Sequence, residues 1–193
     1  MNSTPSVGFD FLLDRLPENK DQLSSDASTS YGIGGVLFFH MVNPDYRNFD
    51  GLFWQMSWVE WQKIAHMRSL TPGLVKINVA EFLAALITCE TFSAHCVSKF
   101  SRVAIDNRAA VDWLNAARCP IYPFDRCAQG VHLHMLRGSQ KFKADWIPSS
   151  MNCLADNFSR QGFSRKRSGH IVAGYRMLRV KPRWKNLLKF YKR

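Results

Sequence analysis

The segment Gly32-Ile33-Gly34-Gly35-Val36-Leu37-Phe38-Phe39 constrains the fold more than any other. It is an apolar run opened by small residues. His40 breaks it long before it could span a bilayer. Gln22 to Ser28 just before it has strand character, and Thr29-Ser30-Tyr31 reads as a turn. Two strands divided by a small-residue turn predict a hairpin. In Phe53 to Val59, Trp54, Met56 and Trp58 alternate with Gln55 and Ser57, which predicts a third strand. The chain therefore begins its core as a three-strand antiparallel meander.

Helical spacing takes over downstream. Asn78 reads as an N-cap with Glu81 at N3, and Phe82, Leu83, Leu86 and Ile87 give a buried face out to about Ala94. Arg102 to Ile105 is a short strand, and a helix from Ala109 to Ala117 is stopped by Cys119-Pro120. Residues 124–137 have helical spacing, Lys141 to Ile147 forms a fifth strand, and Asn152 caps a last helix through Phe158. A meander followed by alternating helices and strands predicts an α/β fold. Its sheet is five-stranded and mixed, with helices on both faces. Residues 40–76 are longer than a simple connection and suggest no role.

The 193 residues carry a formal net charge of +11, unevenly spread. Residues 1–160 hold 15 Lys+Arg and 15 Asp+Glu; residues 161–193 hold 11 Lys+Arg and no acid. The sequence thus divides into an N-terminal extension (1–21), a neutral body (22–160) and a basic tail (161–193). A uniformly basic or low-complexity protein is excluded. Met1-Asn2-Ser3-Thr4-Pro5 lacks the start of a signal peptide. Five cysteines without a CxxC pair suggest free thiols in a reducing, intracellular compartment. His132-x-His134 has no partners at zinc-ligand spacing.

Four acids stand at the ends of elements: Asp26 on the first strand, Glu81 in the first turn of a helix, Asp106 at the end of the fourth strand, and Asp156 in the last helix. Each has a plain structural role open to it, as a cap, a turn former or a partner of a helix dipole. Parallel neighbouring strands would set Asp26 beside Asp106, and helix starts packed over them would add Glu81 and Asp156. Clustered carboxylates repel, which cations relieve. Oxygen ligands without sulfur or imidazole suit Mg²⁺ or Mn²⁺.

The residues around these acids fit one pattern. Asp26-Ala27-Ser28 with Gly32 to Leu37 resembles the first hairpin of retroelement ribonuclease H domains. Ile77-Asn78-x-x-Glu81-Phe82-x-Ala84 resembles their first helix, and Ile105-Asp106-Asn107 with Val111-x-Trp113-Leu114-Asn115 their second acidic block. Trp146-Ile147-Pro148-x-x-x-Asn152-x-x-Ala155-Asp156-x-x-Ser159-Arg160 is similar to their closing signature. The contexts of Asn78 and Asp106-Asn107 lean towards DIRS-type and related, gypsy-like retrotransposons. Trp146 stands where many relatives have His, and Ser149 where many have Gly.

The resemblance implies an RNase H-like fold and hydrolysis of the RNA strand in an RNA–DNA hybrid. Asp26, Glu81, Asp106 and Asp156 would hold two Mg²⁺ or Mn²⁺ ions, one activating a water and one stabilising the departing 3′-oxygen. Ser28 and Asn107 are candidates for contacts to the RNA 2′-hydroxyls. No polymerase block accompanies these motifs, so a separate reverse transcriptase domain is a candidate partner. A membrane or small-molecule cofactor is not expected. Two rival readings keep the fold: a nucleic-acid-binding domain without turnover, and a nuclease directed at DNA.

In the tail, Trp184, Leu187, Leu188 and Tyr191 fall on one helical face. Arg165, Lys166, Arg167, Arg183, Lys185, Lys189, Lys192 and Arg193 are candidates for salt-sensitive phosphate contacts. A nuclear-import signal and simple docking on the body are the other readings.

Overall fold

A computed structural model describes residues 21–38, 50–65, 76–96, 99–121, 124–160, 171–172, 175–178 and 180. Strands β1 (Gln22–Ala27), β2 (Gly32–Phe38) and β3 (Gly51–Ser57) form the expected meander. Helix α1 (Trp58–Ala65) follows directly, then α2 (Ile77–Phe92), β4 (Phe100–Ile105), α3 (Arg108–Asn115), α4 (Phe124–Arg137) and β5 (Lys141–Trp146). A 3-10 turn at Ser149–Met151 leads into α5 (Cys153–Arg160). Two short strands, β6 (Ile171–Val172) and β7 (Tyr175–Met177), complete the sheet.

Among the described residues the sheet is mixed and has seven strands, in the order β5-β4-β1-β2-β3-β7-β6. This corrects the expected five. The two added strands are only two and three residues long and lie among basic residues, so they carry no legible alternation. β7 runs parallel to β3, pairing Gly51 with Tyr175 and Phe53 with Met177. The sheet thus continues beyond residue 160, into what reads in sequence as the tail.

The faces of the sheet are covered unequally. On one, α1 to α4 pack over Leu23, Ile33, Leu37, Leu52 and Trp54 in a single large core. On the other, Val36, Phe38 and Phe53 meet Ala155 and Phe158 of α5 and Tyr175 of β7. Phe53 and Phe158 stack with centroids 4.1 Å apart. Gly35 allows α2 to approach: a Cβ there would lie 2.1 Å from Thr88 Oγ1, which accepts the indole N–H of Trp54.

Three helix starts differ from expectation. α2 begins at Ile77 after Lys76, so Asn78 is inside the helix and its side chain accepts from Asn107 instead of capping. The reciprocal capping box belongs to α1: Ser57 Oγ accepts from the Glu60 amide, and Glu60 Oε2 accepts from the Ser57 amide, both at 3.2 Å. That box ends β3 at Ser57, so Trp58 and Val59 are helical rather than the end of a strand. Asn152 precedes α5, but its side chain is turned to β1, where its amide donates to the Ser25 carbonyl.

Candidate active site

Parallel pairing of β1 and β4 matches Gln22 with Arg102 and Ser24 with Ala104. Carried two residues on, the same offset sets Asp26 beside Asp106. α2 lies over these strands and is buried along most of its length, so Glu81 in its second turn faces them from inside the core. The result is a compact group. Asp26, Glu81 and Asp106 each offer a carboxylate oxygen, and these oxygens lie within 4.8 Å of one another.

The surroundings fix each acid differently. Glu81 is 3% exposed; its Oε1 accepts from the Ala27 amide at 3.1 Å, and its Oε2 has no hydrogen-bond partner among the described residues. Asp26 is also buried. Its Oδ2 accepts from the Ser159 hydroxyl at 2.6 Å, and Asn152 Nδ2 lies 3.5 Å from Oδ1. Asp106 is half-buried, and its peptide carbonyl accepts from the indole of Trp146 at 3.0 Å.

Burial pushes the Asp26 carboxyl up to about 7; the charges of Asp106 and Asp156 add to the rise, and the Ser159 hydrogen bond opposes it. Glu81 is pushed up to about 10, first by burial and then by the charges of Asp26 and Asp106. Burial is the main cause of both shifts, and the charge of Arg160, which lowers Asp26, is too little positive charge to offset it. A divalent cation would supply more positive charge and give the unpartnered Glu81 oxygen a partner. The donors are all hard oxygens, which suits Mg²⁺ or Mn²⁺.

Asp156 is not one of the three. It lies in the first turn of α5, and its Oδ1 pairs with Arg160 Nε at 2.6 Å. Its charge nonetheless acts on both Asp26 and Glu81. Asn107 caps α3, accepting from the Ala110 amide while its own amide donates to exposed Asn78 at 2.9 Å. Ser28 is buried, and its carbonyl accepts from the Trp58 indole at 2.6 Å, so it presents no side chain at the surface. His132 is half-buried on α4, with Nδ1 facing the Ala128 carbonyl, and burial lowers its pKa. The candidate tail residues Arg165, Lys166, Arg167, Arg183, Lys185, Lys189, Lys192 and Arg193 lie outside the described residues.

Sequence reading passed over three residues at the rim and floor of the group. Arg108 lies over the exposed Trp146 ring, 4.6 Å from its centroid, beside Asp106. Ser159 and Asn152 reach Asp26 from α5 and the turn before it. Ser159 follows Asp156 by three residues, a spacing that puts both on one side of a helix and was the available signal.

No family model matches the sequence, and no curated protein does either. Among solved structures, the chain is similar to RNase H1 from the archaeon Halobacterium salinarum, at 16% identity and a TM-score of 0.47, over 72% of this chain and 93% of that one. It is similar to the N-terminal RNase H domain of a Mycobacterium tuberculosis protein, solved as a fusion with maltose-binding protein, at 12% identity and a TM-score of 0.46, over 72% and 91%. It is also similar to LC11-RNase H1 in complex with an RNA/DNA hybrid, at 18% identity and a TM-score of 0.46, over 72% and 93%.

Proposed function

We propose that this chain is a metal-dependent endonuclease that hydrolyses the RNA strand of RNA–DNA hybrids. The observation that carries the reading is the convergence of Asp26, Glu81 and Asp106, with an unpartnered Glu81 oxygen buried among them. The order of the four sequence motifs around those acids supports the choice of reaction. Asp26, Glu81 and Asp106 would hold the cation, and Asp156 would take part in holding a second once released from Arg160. Cations bound there supply the charge that activates a water and stabilises a departing 3′-oxygen. Arg108, Trp146 and the Asn107–Asn78 amide pair form the adjacent rim on which a nucleic acid would rest.

The same motif order supports a retroelement origin, with a separate reverse transcriptase domain as partner. The five free cysteines are in keeping with a reducing, intracellular compartment. The tail lysines and arginines would add a sequence-independent grip on phosphates.

The test is cleavage of a labelled RNA–DNA hybrid by the purified chain in Mg²⁺, set against duplex and branched DNA. Cleavage of the RNA strand alone, lost in Asp26→Asn and Asp106→Asn, is the expected result. Full activity in both variants would overturn the mechanism. Preference for DNA would reassign the substrate, and hybrid binding without turnover would leave a binding domain. This last reading has an observation of its own in the Asp156–Arg160 pair, which occupies the fourth acid.

A further inference from the structure

Asp26 is held from the α5 side by neutral groups as well as facing the charge of Asp156 there. Ser159 ends the buried face of α5, and its hydroxyl lies 2.6 Å from Asp26 Oδ2 and 2.9 Å from the Asp156 carbonyl. A hydroxyl has one hydrogen to donate. The shorter contact is to the carboxylate, which makes the stronger bond when it is ionised.

Asn152 works from the turn before the helix. One amide hydrogen reaches the Ser25 carbonyl at 2.9 Å, and the same nitrogen lies 3.5 Å from Asp26 Oδ1. Its carbonyl accepts from the Ser24 hydroxyl, so its orientation is fixed from the β1 side. Ser159 and Asn152 are 3% and 2% exposed. The two Asp26 oxygens are thus each approached by a different buried neutral group, and neither group can itself serve as an anionic ligand.

We propose that Ser159 and Asn152 are positioning residues, which set the cation affinity of the acid cluster by fixing the Asp26 carboxylate from the α5 side. The inference rests on the cluster being a cation site. Groups that orient a metal-binding carboxylate without touching the metal typically change its affinity about 10–100-fold when removed. A merely structural role, tying α5 to β1, would change stability and leave affinity alone.

The experiment is a titration of the full chain with Mn²⁺, read by the electron spin resonance of the free ion. Wild type, Ser159→Ala, Ser159→Thr and Asn152→Ala are compared, each at a temperature where a melt in chelator shows it folded. Ser159→Ala and Asn152→Ala are expected to bind Mn²⁺ about tenfold more weakly or worse, while Ser159→Thr, which keeps the hydroxyl, binds as wild type does. Wild-type affinity in both alanine variants would overturn the proposal and leave the cation site standing. A threonine variant as weak as the alanine variant would also overturn it, because packing rather than the hydroxyl would be the cause. Absence of Mn²⁺ binding by the wild type would remove the cation site and the proposal together.

Discussion

The Trp146 indole donates to the backbone carbonyl of Asp106, so the exposed end of β5 holds the peptide of an acid at the end of the neighbouring strand. Trp146→Phe removes that donor and leaves a ring for Arg108 to cover. Loss of one such hydrogen bond is expected to cost about 1 kcal/mol, measured as a lower midpoint in urea. Trp146→Ala also removes the ring, and is expected to lower hybrid cleavage further than Trp146→Phe does. Equal cleavage by the two would show that the ring itself has no part.

Glu81→Gln is expected to separate stability from activity. Glutamine keeps an oxygen for the Ala27 amide and removes a carboxyl that burial pushes up to about 10. At pH 7 the unfolded chain gains by ionising Glu81 and the cation-free fold does not, so the variant should melt higher than wild type in chelator. Below about pH 4 the carboxyl is neutral in both states and the difference should vanish. Hybrid cleavage should be lost or nearly so, because the variant lacks one of the three carboxylates proposed to hold the cation. A variant less stable than wild type at pH 7 would contradict this reading of the Glu81 environment.

The pH dependence of the cation-free wild type follows the same sign. Asp26 rises from an ordinary 3.8 to about 7, and Glu81 from 4.5 to about 10. Raised carboxyls contribute stability that is fully present below their unfolded values and is lost as pH rises through the folded ones. Melting temperature in chelator should therefore fall from about pH 4 towards pH 7, and fall again on the way to about pH 10. Mg²⁺ should restore it at pH 8 and have no effect at pH 4, because cation binding requires the protons to leave. Calorimetric scans with and without Mg²⁺ would show this.

Two helices end on residues that pay conformational strain. Ala117 has φ 53° and Ser139 φ 55°, in the left-handed region. At the end of α3, the Arg118 amide reaches the Trp113 carbonyl and the Ala117 amide reaches that of Leu114; Gln140 and Ser139 do the same with Met135 and Leu136 after α4. Both are glycine-type helix terminations without the glycine. Ala117→Gly and Ser139→Gly are each expected to add about 1 kcal/mol of stability, read as a higher urea midpoint with the same slope.

Much of the fold was legible because its elements carry their own periodicity. The β1–β2 hairpin, α2, β4, α4 and β5 each have alternation or helical spacing strong enough to show without the rest of the chain. α1 was hidden because the aromatic residues of β3 run on into Trp58 and Trp61, and the apolar alternation masks the Ser57–Glu60 box that ends the strand. Asp26, Glu81 and Asp106 were legible as a set because each stands near the end of an element, whereas Asp156, read with them, is not in the group. What sequence could not show is that Asp156 turns to Arg160, or that Ser159 turns to Asp26. One side of α5 offers both choices, and tertiary packing decides between them.

The basic tail calls for a cut that spares the sheet. Removing residues 161–193 would also take away Tyr175, which packs edge-on against Phe38 and covers the edge of β3. That deletion should lower the melting temperature as well as hybrid affinity. Truncation after Val180 removes Arg183, Lys185, Lys189, Lys192 and Arg193 and keeps β7. It should leave the melt unchanged and make hybrid binding less steeply dependent on salt. An unchanged salt dependence would remove the phosphate-gripping role from these residues.

The direction of β7 sets the end of the sheet at which that strand stops. β1 and β3 are both antiparallel to β2, and β7 is parallel to β3, so β7 and β1 point the same way. Register runs across the sheet from Met177 to Phe53, Val36 and Ser24, two residues before Asp26. The chain therefore leaves β7 at the latitude of the acids, three strand spacings away, or about 14 Å. The 13 residues from Lys181 to Arg193 could span at most about 43 Å when extended. That reach is about three times the gap, enough for the proposed phosphate-gripping residues to meet a polynucleotide at the end of the sheet that carries the acids.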